Sequence, residues 1–217
     1  MNILAIESSS KQCSIAIHSN NSIHESSDII NNDSATSLPI MIEKMLSTLS
    51  LTFKDLDGIA ISMGPGSFTR LRVGLSYAKG LSLTLDIPII PISTFDLLLL
   101  PNIKDIQDKL ITVLIHSHGT TFYQSRYFLK NNSYVLEEDP ISIILNNIPN
   151  ENHGTIMYCG PEHLLDNINP LSSSVHIVSP AAKNMIDIGI KNFDLLKTKS
   201  INNLVPNYIG SFNTGKK

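Results

Sequence analysis

The chain has 217 residues, with 16 Lys and Arg against 19 Asp and Glu, a net charge of −3 and a mean hydropathy of +0.09. That length allows one large domain or two small ones, and 42% hydrophobic residues suffice for a core. The balance of charge, with no basic cluster apart from Lys216 and Lys217, argues against a direct grip on nucleic acid as the main task, because phosphate neutralisation dominates such binding.

Ile3-Leu4-Ala5-Ile6 is wholly apolar and predicts a buried strand. Cys13–His18 alternates as a second strand. Asn20-Asn21 is a turn signal, and Ser22–Glu25 returns as a third strand, closing a hairpin. After the polar segment 28–37, Leu38, Met41, Ile42, Met45, Leu46 and Leu49 recur at helical spacing, with Ser37 as cap and Pro39 in the first turn. Lys54–Asp57 connects to a strand at Gly58–Ser62. A helix follows over Ser67–Leu85. Ile87–Ile92 is the next strand, its prolines marking an edge or a strand end. The order β-β-β-α-β-α-β, a meander followed by α-β crossovers, is that of the ribonuclease-H-like half of an actin-type fold.

Thr94–Leu100 predicts a short helix and Pro101–Asp108 a boundary, dividing the chain into 1–104 and 105–217. The second part reads as strands at Leu110–Ile115 and Thr121–Phe128 around a His118-Gly119 turn, and a weaker strand at Tyr134–Leu136. Buried strands follow at Thr155–Cys159 and Val175–Val178, then a helix at Ala181–Phe193. The tail 203–212, carrying Val205, Pro206, Tyr208 and Ile209, is expected to dock on the body. No segment reads as a signal peptide. The longest apolar run, Phe95–Pro101, is far short of the roughly 20 residues a membrane helix needs. Cys13 and Cys159 form no motif and read as free thiols of a reducing compartment.

Gly64-Pro65-Gly66-Ser67 lies between a strand and a helix. That order puts backbone N–H groups at a helix N-terminus, where an anion or a partner's acidic group can sit. A plain connection capped by Ser67 is the alternative. Gly64, Gly66, Ser67 and the strand-end Glu7 are therefore the candidate anion- or nucleotide-proximal residues. The spacing is neither a dinucleotide fingerprint nor a P-loop. Glu7-Ser8-Ser9-Ser10 has no glycine to let a backbone approach phosphate. His116 and His118 lack a third metal ligand, and no serine sits in a nucleophile elbow. The chain is expected to carry no catalytic residue, no metal and no cofactor of its own.

The helices instead predict binding. Gly74, Ala78 and Ser82 recur every four residues, with Leu71, Leu75 and Tyr77 alongside, and Met41, Ile42, Met45 and Leu49 give the first helix a broad apolar sector. Methionine adapts to varied partners. Met41, Ile42, Met45, Leu49, Leu71, Gly74, Leu75, Ala78 and Ser82 are thus expected to face a partner. The alternative is that both stripes only pack on the sheet.

Ile3–Ser9, Cys13-Ser14, Leu38-Pro39-x-Met41-Ile42, Gly64-Pro65-Gly66-Ser67-Phe68-Thr69, Ala78-Lys79-Gly80-Leu81, Ile87-Pro88 and Pro206-x-Tyr208 fall in an order that resembles the TsaB (YeaZ) family, needed to make N6-threonylcarbamoyladenosine in tRNA. The resemblance is strong over 1–95 and faint over 105–217. It implies an actin-like ATPase-type α/β fold with two lobes, the second reduced. It also implies a non-catalytic cytoplasmic subunit, paired as a heterodimer with a catalytic TsaD-like subunit and working with a TsaE-like ATPase. ATP and Mg are then expected in those partner subunits, tRNA contact only indirectly, no membrane, and a homodimer when the partner is absent. Three departures stand out: Glu7 where Asp is frequent, Arg70 where Gly is usual, and Asp33-Ser34 where His-Ser is usual. Arg70 speaks against close approach of a ligand to that backbone. The rival class is a small peptidase-like or ATPase-like hydrolase of the same fold.

Overall fold

A computed structural model of the chain describes residues 1–29, 34–149, 153–172 and 174–209, so Asp33 and the tail beyond Ile209 lie outside it. In chain order the elements are β1 (Ile3–Glu7), β2 (Gln12–Ser19), β3 (Ser22–Ile29), α1 (Ser34–Thr48), β4 (Gly58–Ser62), α2 (Phe68–Leu85), β5 (Ile89–Ile92) and α3 (Thr94–Leu99). There follow β6 (Leu110–His118), β7 (Thr121–Lys130), β8 (Ser133–Leu136), β9 (Ile141–Ile144), β10 (Thr155–Cys159), α4 (Leu165–Ile168), β11 (Val175–Ile177), α5 (Ala182–Lys191) and α6 (Phe193–Leu196).

The chain divides into two units, Met1–Leu100 with Pro180–Asn207, and Pro101–Ser179 with Tyr208–Lys217. The first boundary falls close to the expected 104/105. The second corrects the sequence reading, which leaves 180–207 in the second half. The cause is packing: Ala182, Met185, Ile186 and Ile188 of α5 close a core with Ile3, Ala5, Ala16, Ala60 and Ile90 of the first sheet.

That sheet runs β3-β2-β1-β4-β5, with β1–β3 antiparallel and β4 and β5 joined in parallel. Side chains alternate between its faces. Leu4, Ile6, Ile15, Ile17, Ile59 and Ile61 meet α1 and α2 on one face. The other face is paved with small residues where α5 crosses: a Cβ added at Gly189 would rest 3.8 Å from Ala60 and 3.7 Å from Ile90. The first turn of α5 is capped from a distance. Ala182 N donates to Ser14 Oγ at 2.9 Å, and Lys183 N to Glu25 Oε1 at 3.1 Å.

α1 starts at Ser34, so Pro39 lies inside the helix instead of in its first turn, giving up the N–H that would bond the Ala35 carbonyl. Ser67 does precede α2, but its side chain makes no capping bond. The tail docks through Ile201 and Pro206, which are buried, whereas Val205 is exposed.

The second unit holds a sheet ordered β11-β10-β6-β7-β8, with β9 also paired to β7. The β6–β7 hairpin turns at Gly119, whose φ is +53°. Leu114, Phe122, Ile156, Tyr158 and Ile168 form its core. Among the described residues no helix is long and apolar enough to cross a membrane.

Candidate functional site

β1 ends at Glu7, whose carboxylate is wholly buried. Ser9 N donates to its Oε1 at 2.8 Å and its Oε2 at 3.1 Å, and Ser9 Oγ donates to Oε1 as well. Burial outweighs these bonds and pushes the Glu7 pKa up to about 7. Ser8 N donates to Ser62 Oγ at 3.2 Å, so the turn is tied to the end of β4.

The glycine turn sits against this one. Ser67 N donates to Ser9 O at 2.7 Å, and a Cβ at Gly66 would collide with the same carbonyl. On the other side, Asn207 N donates to Met63 O at 2.6 Å, and Thr94 N donates to Gly64 O at 2.8 Å. Gly64, with φ +96°, holds a backbone shape that L side chains rarely adopt, and a Cβ there would sit tightly between Leu71 and Asn207. Of the three residues expected near an anion, Ser67 has its amide already engaged within the chain. The Ser67 amide already serves the Ser9 carbonyl, and backbone presses on backbone where a phosphate cradle would need space. Glu7 is closed off beneath this turn. Among the described residues no group of three His, Cys, Asp or Glu could hold a metal ion.

The nine residues expected to face a partner are brought together, but inward. Ile42, Met45, Leu71, Gly74, Leu75, Ala78 and Ser82 are buried in the chain itself, and Met41 and Leu49 are half-buried against the same core. Ser82 Oγ is spent on Ile87 O at 2.6 Å. The physical reason is that one apolar stripe per helix is what the sheet needs, and these are those stripes. What α1 and α2 leave outward is a different set. Ile40 is 58% exposed and Leu83 71% exposed; Arg72 and Ser76 are exposed, and a Cβ at Gly80 would meet nothing within 4 Å. Arg72 stacks its guanidinium 3.7 Å from the Phe68 ring. The two helices pack against each other, and burial, with the Glu43 charge, pushes the Tyr77 hydroxyl pKa up.

Elsewhere, His116 Nε2 lies 3.0 Å from Gly119 O within its own hairpin, and His118 Nδ1 lies 3.1 Å from Ser117 Oγ. Neither cysteine forms a disulfide, and burial pushes the Cys13 thiol up to about 12.

Residues 19–138, more than half the chain, match the family described as "TsaD: tRNA N6-adenosine threonylcarbamoyltransferase". A Buchnera aphidicola protein named tRNA threonylcarbamoyladenosine biosynthesis protein TsaB is 32% identical over 92% of this chain and 91% of its own length. The chain belongs to the TsaB family. A Clostridioides difficile tRNA N6-adenosine threonylcarbamoyltransferase is 36% identical over 37% of the chain and 26% of its own. The solved structure of YeaZ from Pseudomonas aeruginosa superposes with a TM-score of 0.79, covering 96% of this chain and 99% of that one at 17% identity, which fixes the fold as the two-lobed actin-like ATPase type.

In this TsaB-family chain the outward residues Ile40, Ser76, Gly80 and Leu83 went unread in the sequence. One signal was present. Arg72, Ser76, Gly80 and Thr84 repeat at the same four-residue spacing as the buried stripe, offset by two positions and so on the opposite side of the helix.

Proposed function

We propose that this chain is a non-catalytic subunit in the formation of N6-threonylcarbamoyladenosine at position 37 of tRNAs reading codons that start with A. It binds a catalytic TsaD-like subunit through the outward face of α1 and α2 and stabilises its competent state by mass action. The observation that carries this reading is Gly80: an uncovered helix position without a side chain, beside an exposed Leu83, lets a second helix approach closely. Kinship with the transferase family supports it, and so does the backbone-filled glycine turn. ATP and magnesium chemistry then belongs to the TsaD-like and TsaE-like subunits, contact with tRNA is indirect, and the same face serves a homodimer when the partner is absent.

The test is titration of the TsaD-like subunit with Gly80→Arg and Leu83→Glu. Both sites are open, so the fold is expected to hold while affinity falls about tenfold or more. Unchanged affinity in correctly folded variants defeats the assignment.

The hydrolase reading has two Ser–His contacts to draw on, Ser117 Oγ at 3.1 Å from His118 Nδ1 and Ser174 Oγ at 3.2 Å from His176 Nε2. His176 is exposed, and among the described residues no carboxylate holds its other ring nitrogen. Magnesium-dependent ATP turnover by the isolated chain, abolished in Glu7→Ala, would revive that reading.

A further inference from the structure

β3 is the outermost strand of the first sheet, paired among the described residues on one side only. Its residues 22–29 are all exposed, and two are large and apolar, Ile23 at 40% and Ile29 at 66%. Soluble proteins usually blunt such an edge by shortness or charge. This edge is eight residues long, and its charges have a particular order.

Across a two-fold axis, an antiparallel strand can pair only residues of like parity, because alternate residues turn their N–H and C=O groups to the free edge. Few centres are then possible. Centring on Glu25 or Asp28 opposes two carboxylates, and centring on His24 opposes two imidazoles. Centring on Ser27 sets Ile29 against Glu25. Centring on Ser26 sets Ile23 against Ile29 of the second copy, His24 against Asp28, and Glu25 against Ser27, each twice. Apolar meets apolar, basic meets acidic, and no like charges oppose.

The faces agree. His24, Ser26 and Asp28 pair with Ile17, Ile15 and Cys13, which point to the α1–α2 core, so their side chains share that face. Ile23, Glu25, Ser27 and Ile29 lie on the α5 face, where Glu25 is already matched by Lys183 at 3.7 Å.

We propose that β3 pairs antiparallel with β3 of a second copy of this chain about a two-fold axis at Ser26, joining two five-stranded sheets edge to edge. The surface is separate from the outward face of α1 and α2, so the pairing does not depend on the proposed function. The register places the two Ser26 Cα atoms about 4.5–5.5 Å apart, within disulfide reach.

The test uses the full chain with Cys159→Ser. On oxidation Ser26→Cys is expected to give a covalent dimer. Glu25→Cys alone should give little, while Glu25→Cys mixed with Ser27→Cys links. By sedimentation in a Gly80→Arg background, which blocks the dimer through α1 and α2, His24→Asp and Asp28→His should each weaken the remaining dimer by about threefold to tenfold, and the double exchange, which restores each cross-strand pair with its members swapped, should recover it. Ser26→Cys linking no better than Glu25→Cys, or a double variant no tighter than the single ones, overturns the proposal. So does a dimer that Gly80→Arg abolishes and Ser26→Cys fails to trap.

Discussion

Two glycines on α2 meet opposite surroundings. A Cβ at Gly74 would run into Ser8 Oγ and press on Ile61, whereas one at Gly80 would meet nothing within 4 Å. The inward side of α2 is fastened to the turn after β1, and the outward side is unused by this chain among the described residues. Small residues at four-residue spacing therefore do not reveal which side of a helix they serve. They mark close approach, and the neighbour can belong to the same chain or to another.

Ala78 is fully buried on the inward side of α2. Ala78→Arg is expected to cost about 4 kcal/mol or more and to leave little folded protein by circular dichroism, because it buries an unpaired charge in a packed core. A well-folded Ala78→Arg protein with normal urea resistance would show that the inward side is not closed.

Glu7 sharpens the inward half through pH. Its carboxyl pKa is raised from 4.5 to about 7 on folding, so the folded chain keeps the proton longer than the unfolded chain. Its stabilising contribution is full below pH 4.5, is lost as pH climbs towards 7, and amounts to about 3 kcal/mol. Glu7→Gln removes that titration. Urea midpoints should show the variant gaining on the parent between pH 5 and 8; parallel curves would count against a buried, proton-holding Glu7.

The glycines give the smallest and most pointed contrast. Helix propensity favours alanine over glycine at both sites by about 1 kcal/mol. At Gly74 the collision with Ser8 should override it and destabilise by about 1–2 kcal/mol. At Gly80 the gain should survive as about 0.5–1 kcal/mol of added stability. Thermal melts that move in the same direction for Gly74→Ala and Gly80→Ala would erase the distinction between the faces.

Much of the first unit was legible because its signals are local. The apolar run at Ile3–Ile6, the alternation at Cys13–His18 and the Asn20-Asn21 turn fix the hairpin. The glycine turn and the proline-free stretch after it fix α2. Three things were not legible. The allegiance of α5 depends on Ser14, Ala16 and Ala60 lying far back in the chain. β9, rich in isoleucine but exposed at Ile141 and Ile144, lacks the in-out alternation that marks a strand. The closure of the glycine turn depends on Ser9 and Asn207 arriving from opposite ends of the chain. The residue types of the candidate site were readable, but not the direction they faced.

The late return of residues 180–207 bears on how the protein is made. Without residues 180–207 the first unit has no α5 to cover Ile3, Ala5, Ala16, Ala60 and Ile90. A chain that stops before α5 would leave that greasy platform open. Chaperone occupancy during translation, and aggregation of products cut short before Pro180, should both trace to that one uncovered side.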